Sequence, residues 1–302
     1  MGRVLLCHLE LRALAEKIVR GSNLIRPGKI NWGYFEDGHP NIFIDDVRSL
    51  RDDQVSFLAS FWDPEKILEQ MSVVWALPRY GVRSLQVILP YFPGTVDRVD
   101  VEGQIAFAMS LARLLSAAPL TRGGPPELVI YDIHALAERF YFKDGVLPRL
   151  ESGMPLLIER LSRLPNIAVA FPDAGAEKRF GLALRSFPQI TCTKIREGDK
   201  RIVTIKEGDP MGRHVVIVDD LVKTGGTILE CKSVLLGAGA SAISVYATHG
   251  VFPQNSWEKF CDNGFDTFWI TDSCPVASSI DGIEPFKVLS LAPLIYNLIV
   301  SP

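Results

Sequence analysis

His214-Val-Val-Ile-Val-Asp219-Asp220-Leu-Val-Lys223-Thr224-Gly225-Gly226-Thr227, running on into ILECKSVLL, decides the fold class. The β-branched run 215–218 does not alternate with polar residues, so it reads as a strand covered on both faces, as in a parallel sheet. A strand, a tight glycine turn and a helix in that order begin a βαβ unit. Ligands in open α/β sheets bind beyond the carboxyl ends of the strands, and Asp219 and Asp220 fall there. Two adjacent carboxylates need solvent, a partner or hydrogen-bond donors. Ionised Asp only accepts, and the vicinal hydroxyls of a sugar offer two donors. Lys223 and Thr224-Gly225-Gly226-Thr227 follow: close backbone approach, free N–H groups at a helix start and hydroxyl donors suit a phosphate. Together these groups fit a 5-phosphorylated ribose. An N-capped helix after a turn would explain the threonines and glycines but not the paired Asp. The stretch is not a Walker loop, because Lys223 precedes the glycines. Gly237-Ala-Gly239-Ala-Ser-Ala242 matches GxGxxA but lies after a helix and before a strand, so it reads as a helix C-cap.

Outward from this stretch the same alternation recurs. VLLCHL leads to LRALAEKIVR, VSFLASF to PEKILEQMSVVWAL, SLQVILPYF to GQIAFAMSLARLL and then ELVIYDI. IAVAFPD precedes a helix from about Gly175, and ISVYATHG and FDTFWITDS follow the central motif. The fold class is α/β with mostly parallel sheets. The Gly/Pro/Glu-rich GVLPRLESGMP near 145–155 divides the chain into domains 1–148 and 149–302, whose similar size and element order are compatible with duplication. The charged run 194–213, KIREGDKRIVTIKEGDPMGR, departs from the pattern. It reads as a solvated hairpin or exposed loop, or as a cationic lid over a site. Two further strand ends are polar: His134 follows VIYDI, and Asp173 follows AVAFP. Each alone suits a structural role, a hydrogen-bonded histidine or a helix cap. Beside a phosphate site the two could hold Mg²⁺, which takes few protein ligands and completes its shell with substrate phosphates.

Composition narrows the classes. With 47% hydrophobic and 22% charged residues over 302 positions, the chain is neither disordered nor low-complexity. Its 32 basic and 35 acidic residues leave a net charge of −3, which suggests neither a nucleic-acid partner nor a polybasic membrane patch. Five scattered cysteines without a CxxC pair argue against a zinc ribbon, a redox motif or a disulfide framework. No apolar run reaches the ~18 residues of a membrane span, and MGRVLLCHLELRALAEK meets charge too early for a secretory segment. A reducing, cytoplasmic location is the expectation.

Taken in order, these segments resemble the ribose-phosphate diphosphokinases (phosphoribosyl pyrophosphate synthetases), and most closely their plant-type, class II branch. VVIVDDLVKTGGT is similar to that family's binding loop; YDIHALAERFYF, VLPRLESGMPLL, FPDAGAEKRF, CTKIREGDKRIVTIKEGD, THGVFP and FWITDS match other landmarks, from about Asn31 to Ser290. The resemblance implies two tandem type I phosphoribosyltransferase-like domains, the second carrying the ribose-phosphate site. It implies Mg²⁺-dependent transfer of a diphosphoryl group from ATP, or another nucleoside triphosphate, to the C1 hydroxyl of ribose 5-phosphate, and a self-associating protein. By position, Asp219 and Asp220 bind the ribose hydroxyls, and Lys223, Thr224, Gly225, Gly226 and Thr227 hold the 5-phosphate. Lys194 and Arg196 match the basic pair of a flexible catalytic loop. Phe35, Asp37, Arg98 and His134 match the nucleotide side, and His134 and Asp173 the metal side. The stretch Pro90–Arg98 lacks the Arg-Gln pair with which class I enzymes hold adenine, and His39 stands where an acid is common. Class II likeness further implies a broader nucleotide choice without obligatory phosphate activation. The competing readings are a phosphoribosyltransferase and a non-catalytic regulatory subunit that binds ribose phosphate.

Overall fold

Runs of consecutive Val, Ile and Leu become central strands, and amphipathic runs become the helices that cross between them. The computed structural model describes residues 2–93, 102–197 and 200–301, leaving aside the side chains of 194–202. In chain order the elements are β1 (Arg3–Cys7), α1 (Arg12–Val19), β2 (Ile25–Pro27), β3 (Ile30–Tyr34), β4 (Pro40–Ile44), β5 (Gln54–Leu58), α2 (Ile67–Arg79), β6 (Ser84–Leu89), α3 (Phe107–Ser116), β7 (Glu127–Tyr131) and β8 (Leu147–Glu151). Then follow α4 (Met154–Leu161), β9 (Ile167–Phe171), α5 (Ala174–Phe180), β10 (Gln189–Glu197), β11 (Lys200–Glu207), β12 (His214–Val222), α6 (Gly226–Gly237), β13 (Ala242–Gly250), β14 (Phe268–Thr271), α7 (Ala277–Ile280), β15 (Phe286–Leu289) and α8 (Ala292–Val300).

The chain forms two units: Met1–Glu151 with Ser290–Pro302, and Ser152–Leu289. The first holds a parallel six-stranded sheet in the order β2-β1-β5-β6-β7-β8, and a separate antiparallel ribbon, β3-β4. The second holds β11-β10-β9-β12-β13-β14-β15, parallel except for the β10–β11 hairpin at its edge. Counting only the parallel strands in chain order, both sheets run 2-1-3-4-5-6, and each inserts its antiparallel excursion between the second and third strands. Shared order and a shared place of insertion bear out the tandem fold.

Burial follows the apolar runs. Strand β9 is buried at all five positions and β12 from Val215 to Val218, as expected of strands covered on both faces. The C-cap reading of the GxGxxA decoy also holds: Gly239 has φ 91°, and the N–H groups of Gly239 and Ala240 return to the carbonyls of Leu236 and Leu235.

The units depart from the division at 148/149 in two places. Residues 147–151 are not linker but strand β8, paired with β7, and Pro148 is tolerated because β8 is the sheet's edge. The last helix, α8, belongs to the first unit, where it packs on α1; its Ile295, Leu298 and Ile299 are buried. Helix α4, which follows the last strand of the first sheet, counts with the second unit and buries Met154, Leu157 and Leu161 in its core.

Candidate active site

Strand β12 runs between β9 and β13, and its central place delivers two carboxylates to the C-terminal edge of the second sheet. Asp220 is 1% exposed and Asp219 half-buried. Asp219 Oδ1 accepts the Asp220 N–H at 2.9 Å, which orients it along its own strand. Asp220 Oδ1 lies 2.6 Å from Nη1 of Arg179, a residue of α5. That contact is an ion pair rather than an aligned hydrogen bond, since Nη1 meets no acceptor at hydrogen-bond angles. Burial, then the charges of Asp220 and Asp173, push the Asp219 carboxyl well above the usual carboxylate range. The edge thus gathers three carboxylates whose negative charge Arg179 offsets at Asp220, a setting that favours hydroxyl donors and cations.

Asp173 sits in extended backbone at the end of β9 and caps α5, its Oδ1 accepting from Gly175 N at 2.9 Å and Ala176 N at 3.0 Å. Both cap bonds land on one oxygen, which leaves Oδ2 of this exposed residue for a cation. Among the described residues no group of three or more His, Cys, Asp or Glu forms a ready-made cage. That donor set fits Mg²⁺, which uses one or two carboxylates and takes its other oxygens from water and phosphate.

The phosphate loop follows directly. Gly225 adopts φ 73° as N-cap of α6, and a Cβ there would stand 2.1 Å from Phe260 Cζ, so conformation and space both require glycine. Gly226 has nothing within 4 Å of its Cβ position, an open approach for an anion to the helix start. No side chain caps α6 and no acid occupies its first turn. Ser256 Oγ donates to the Lys223 carbonyl at 2.7 Å, and Val251 N to that of Val222 at 3.0 Å, bracing the loop from the segment after β13. Lys223 and Thr224 are exposed and Thr227 is half-buried.

The other candidates are distributed. Lys194 and Arg196 lie on β10, in register with Val203 and Arg201 of β11, and their side chains fall outside the described residues. The charged run is thus a hairpin extending the sheet edge, one of the forms expected for it. Phe35 and Asp37 occupy the exposed turn of the β3–β4 ribbon, and His134 is half-buried beyond the end of β7, all three in the first unit. Arg98 falls outside the described residues. Sequence reasoning missed Arg179: a base in the last turn of a helix reads as ordinary complement to the helix dipole. The usable signal is its type, because Arg rather than Lys suits a buried ion pair.

Comparisons with known proteins bear on this geometry. Residues 130–279 match the phosphoribosyl transferase domain family. The chain is 54% identical to "Ribose-phosphate pyrophosphokinase 3, chloroplastic" of Oryza sativa subsp. japonica, an alignment covering 96% of this chain and 74% of that protein. It is 53% identical to "Ribose-phosphate pyrophosphokinase 3, mitochondrial" of Spinacia oleracea, covering 94% and 73% respectively. The fold matches a crystal structure of phosphoribosylpyrophosphate synthetase from Mycobacterium smegmatis with a TM-score of 0.82 at 24% identity, over 99% of this chain and 98% of that one. The organellar names of these two relatives overturn the expectation of a cytoplasmic location. Composition and cysteine use misled here, because they report a reducing environment and not an address.

Proposed function

Because the chain belongs to the ribose-phosphate pyrophosphokinase family and is an enzyme, we propose that it moves the β,γ-diphosphoryl group of ATP to the C1 hydroxyl of ribose 5-phosphate, releasing AMP. The observation that carries this reading is the adjacency of Asp219–Asp220 to the Gly225 turn and the uncapped start of α6: a diol site and a phosphate site on one strand end. The alternatives, a phosphoribosyltransferase and a regulatory subunit, recede before relatives that carry the pyrophosphokinase name over more than nine-tenths of this chain.

In this reading Asp219 and Asp220 accept hydrogen bonds from the ribose hydroxyls while Lys223 and Thr224–Thr227 hold the 5-phosphate. Two fixed ends present the C1 hydroxyl for in-line attack on the β-phosphorus; the new O–P bond forms as the α–β bridge breaks, AMP leaves and the hydroxyl proton passes to solvent. Little covalent work falls to the protein, so catalysis is positioning and electrostatic stabilisation. Lys194 and Arg196 supply positive charge to the non-bridging oxygens. Phe35, Asp37, Arg98 and His134 are the candidates for the nucleotide side. Mg²⁺, held at Asp173 and the phosphates with His134 as a second candidate, would neutralise phosphate charge when bound.

The test is a coupled assay for AMP and phosphoribosyl pyrophosphate with Mg-ATP and ribose 5-phosphate, with and without inorganic phosphate. Equimolar products formed equally well without phosphate are expected. A well-folded protein that turns over no nucleoside triphosphate would overturn the reading. Lys194→Ala should lower kcat by ~10²–10⁴-fold, the range for a lost group that stabilises transition-state charge. A rate within threefold of wild type would remove Lys194 from the mechanism.

A further inference from the structure

The β3–β4 ribbon is joined to neither large sheet, and with five residues per strand it is too small to be stable alone. Its attachment therefore decides where its turn stands. At the root, Ile30 and Ile44 are register partners buried in the core of the first unit. Trp32 Nε1 donates to the Cys7 carbonyl at 3.4 Å, and its ring meets His8 edge-on at 4.9 Å. Further out the ribbon leaves the core: Tyr34, Phe35 and Phe43 are all more than half exposed. The turn itself is closed by Phe35 N to His39 O and Gly38 N to Phe35 O, both 2.9 Å, and by His39 N to Asp37 Oδ1 at 3.1 Å. With Tyr34, the register partner of Pro40, it forms one hydrogen-bonded body.

The polar contacts that reach this body from the rest of the unit converge on Tyr34. Its hydroxyl donates to Glu69 Oε2 at 3.0 Å and accepts from Lys66 Nζ. The Lys66 ammonium also lies 4.4 Å from the Tyr34 ring centre and 3.8 Å from Glu69 Oε1. Glu69 stands in the first turn of α2 and is 6% exposed, with Oε1 3.7 Å from Nε2 of His8. A carboxylate so buried is costly unless its partners are in place. Its buried neighbours on α2 are Ile67, Gln70, Met71 and Val74, and the Gln70 amide is taken up by the backbone of Ser60. Of the groups that face this carboxylate, His8, Lys66 and Tyr34, the one that belongs to the ribbon is Tyr34, so Glu69 ties the ribbon to α2.

We propose that Tyr34, Glu69 and Lys66 are positioning residues for the nucleotide, fixing the β3–β4 turn so that Phe35 and Asp37 stand ready for the base. The proposal rests on the reading of Phe35 and Asp37 as nucleotide contacts. A base contact is remote from the reacting phosphorus, so losing its pre-organisation weakens ground state and transition state alike. That signature is a raised KM for ATP with kcat preserved.

Four variants test it: Tyr34→Phe, Glu69→Gln, the double variant of both, and Phe35→Ala, each measured for kcat and for KM of ATP and of ribose 5-phosphate. Tyr34 is half-exposed and its Phe replacement keeps the ring, so that variant folds even if Glu69→Gln does not. The expected result is a rise of about tenfold in KM for ATP, the scale of one lost hydrogen bond to a charged group. It should appear in both single variants and grow no further in the double variant, with kcat and KM for ribose 5-phosphate within twofold. Unchanged KM for ATP in Tyr34→Phe, with Phe35→Ala raising it, overturns the proposal and leaves the nucleotide assignment standing. Phe35→Ala without effect removes that assignment and the proposal with it. Additive effects in the double variant also overturn it, since one shared link cannot be lost twice.

Discussion

In the proposed reading Asp219 binds a sugar as an ionised carboxylate, the form that its surroundings disfavour. Accepting hydroxyl donors calls for an ionised carboxylate, yet burial, Asp220 and Asp173 raise its pKa. The folded chain therefore keeps a proton that the unfolded chain releases, so stability falls as pH rises from the ordinary carboxylate range toward the raised value. Asp219→Asn should raise Tm at neutral pH, flatten that dependence and abolish ribose 5-phosphate binding. Calorimetry between about pH 4 and 8, with and without the sugar phosphate, checks all three; a lower neutral Tm would refute the electrostatic account. The two loop glycines separate conformation from access. Gly225→Ala meets both positive φ and the Phe260 ring, and should destabilise by ~1 kcal/mol or more. Gly226→Ala has room in the fold, so its Tm should hold while the Kd for ribose 5-phosphate rises. Equal losses of Tm in the two variants would show that Gly226 is needed for the fold and not for the ligand.

Asp173 caps helix α5, and the proposed reading gives the same side chain to Mg²⁺. Asp173→Ala removes the cap and should cost about 1 kcal/mol. Asp173→Asn keeps an accepting oxygen for Gly175 and Ala176 while losing charge, so it should retain Tm and lose Mg²⁺-dependent activity. Full activity in the Asn variant would limit Asp173 to capping. At this scale the legible elements are those whose burial is two-sided or amphipathic: 215–218 and 167–171 read as strands without alternation, and they are strands. The ribbon strands β3 and β4 and the edge strands β2 and β8 were not legible. They are short, mostly exposed and held by pairing rather than by an apolar pattern. The carboxylate pair and the glycine turn into α6 were legible because carboxylates, glycines and threonines lie contiguously on one strand and turn. Arg179 was not, because its partner Asp220 lies 41 residues further on and only the parallel pairing of β9 with β12 brings them together.

At the scale of the molecule, each sheet is followed by a helix that counts with the other unit: α4 after the first sheet, α8 after the second. Helix α8 brings four buried residues, Ala292, Ile295, Leu298 and Ile299, to the first unit. Ile295→Ala should cost about 2–5 kcal/mol, as a fully buried aliphatic residue. Removal of 290–302 should cost more; thermal unfolding that loses no more than 1 kcal/mol in either variant would deny α8 that role. A consequence concerns the order in which the chain is made. When residue 151 has left the ribosome, every strand of the first sheet exists but α1 still lacks its cover. That cover arrives only after the whole second sheet has been translated, on the order of ten seconds later at ~5–20 residues per second. The first half must wait, part-dressed and prone to stray association, for the last dozen residues of the chain. A nascent protein of this design would be a client of chaperones for longer than its length alone implies, and a premature stop anywhere in the second half would leave the first half exposed as well.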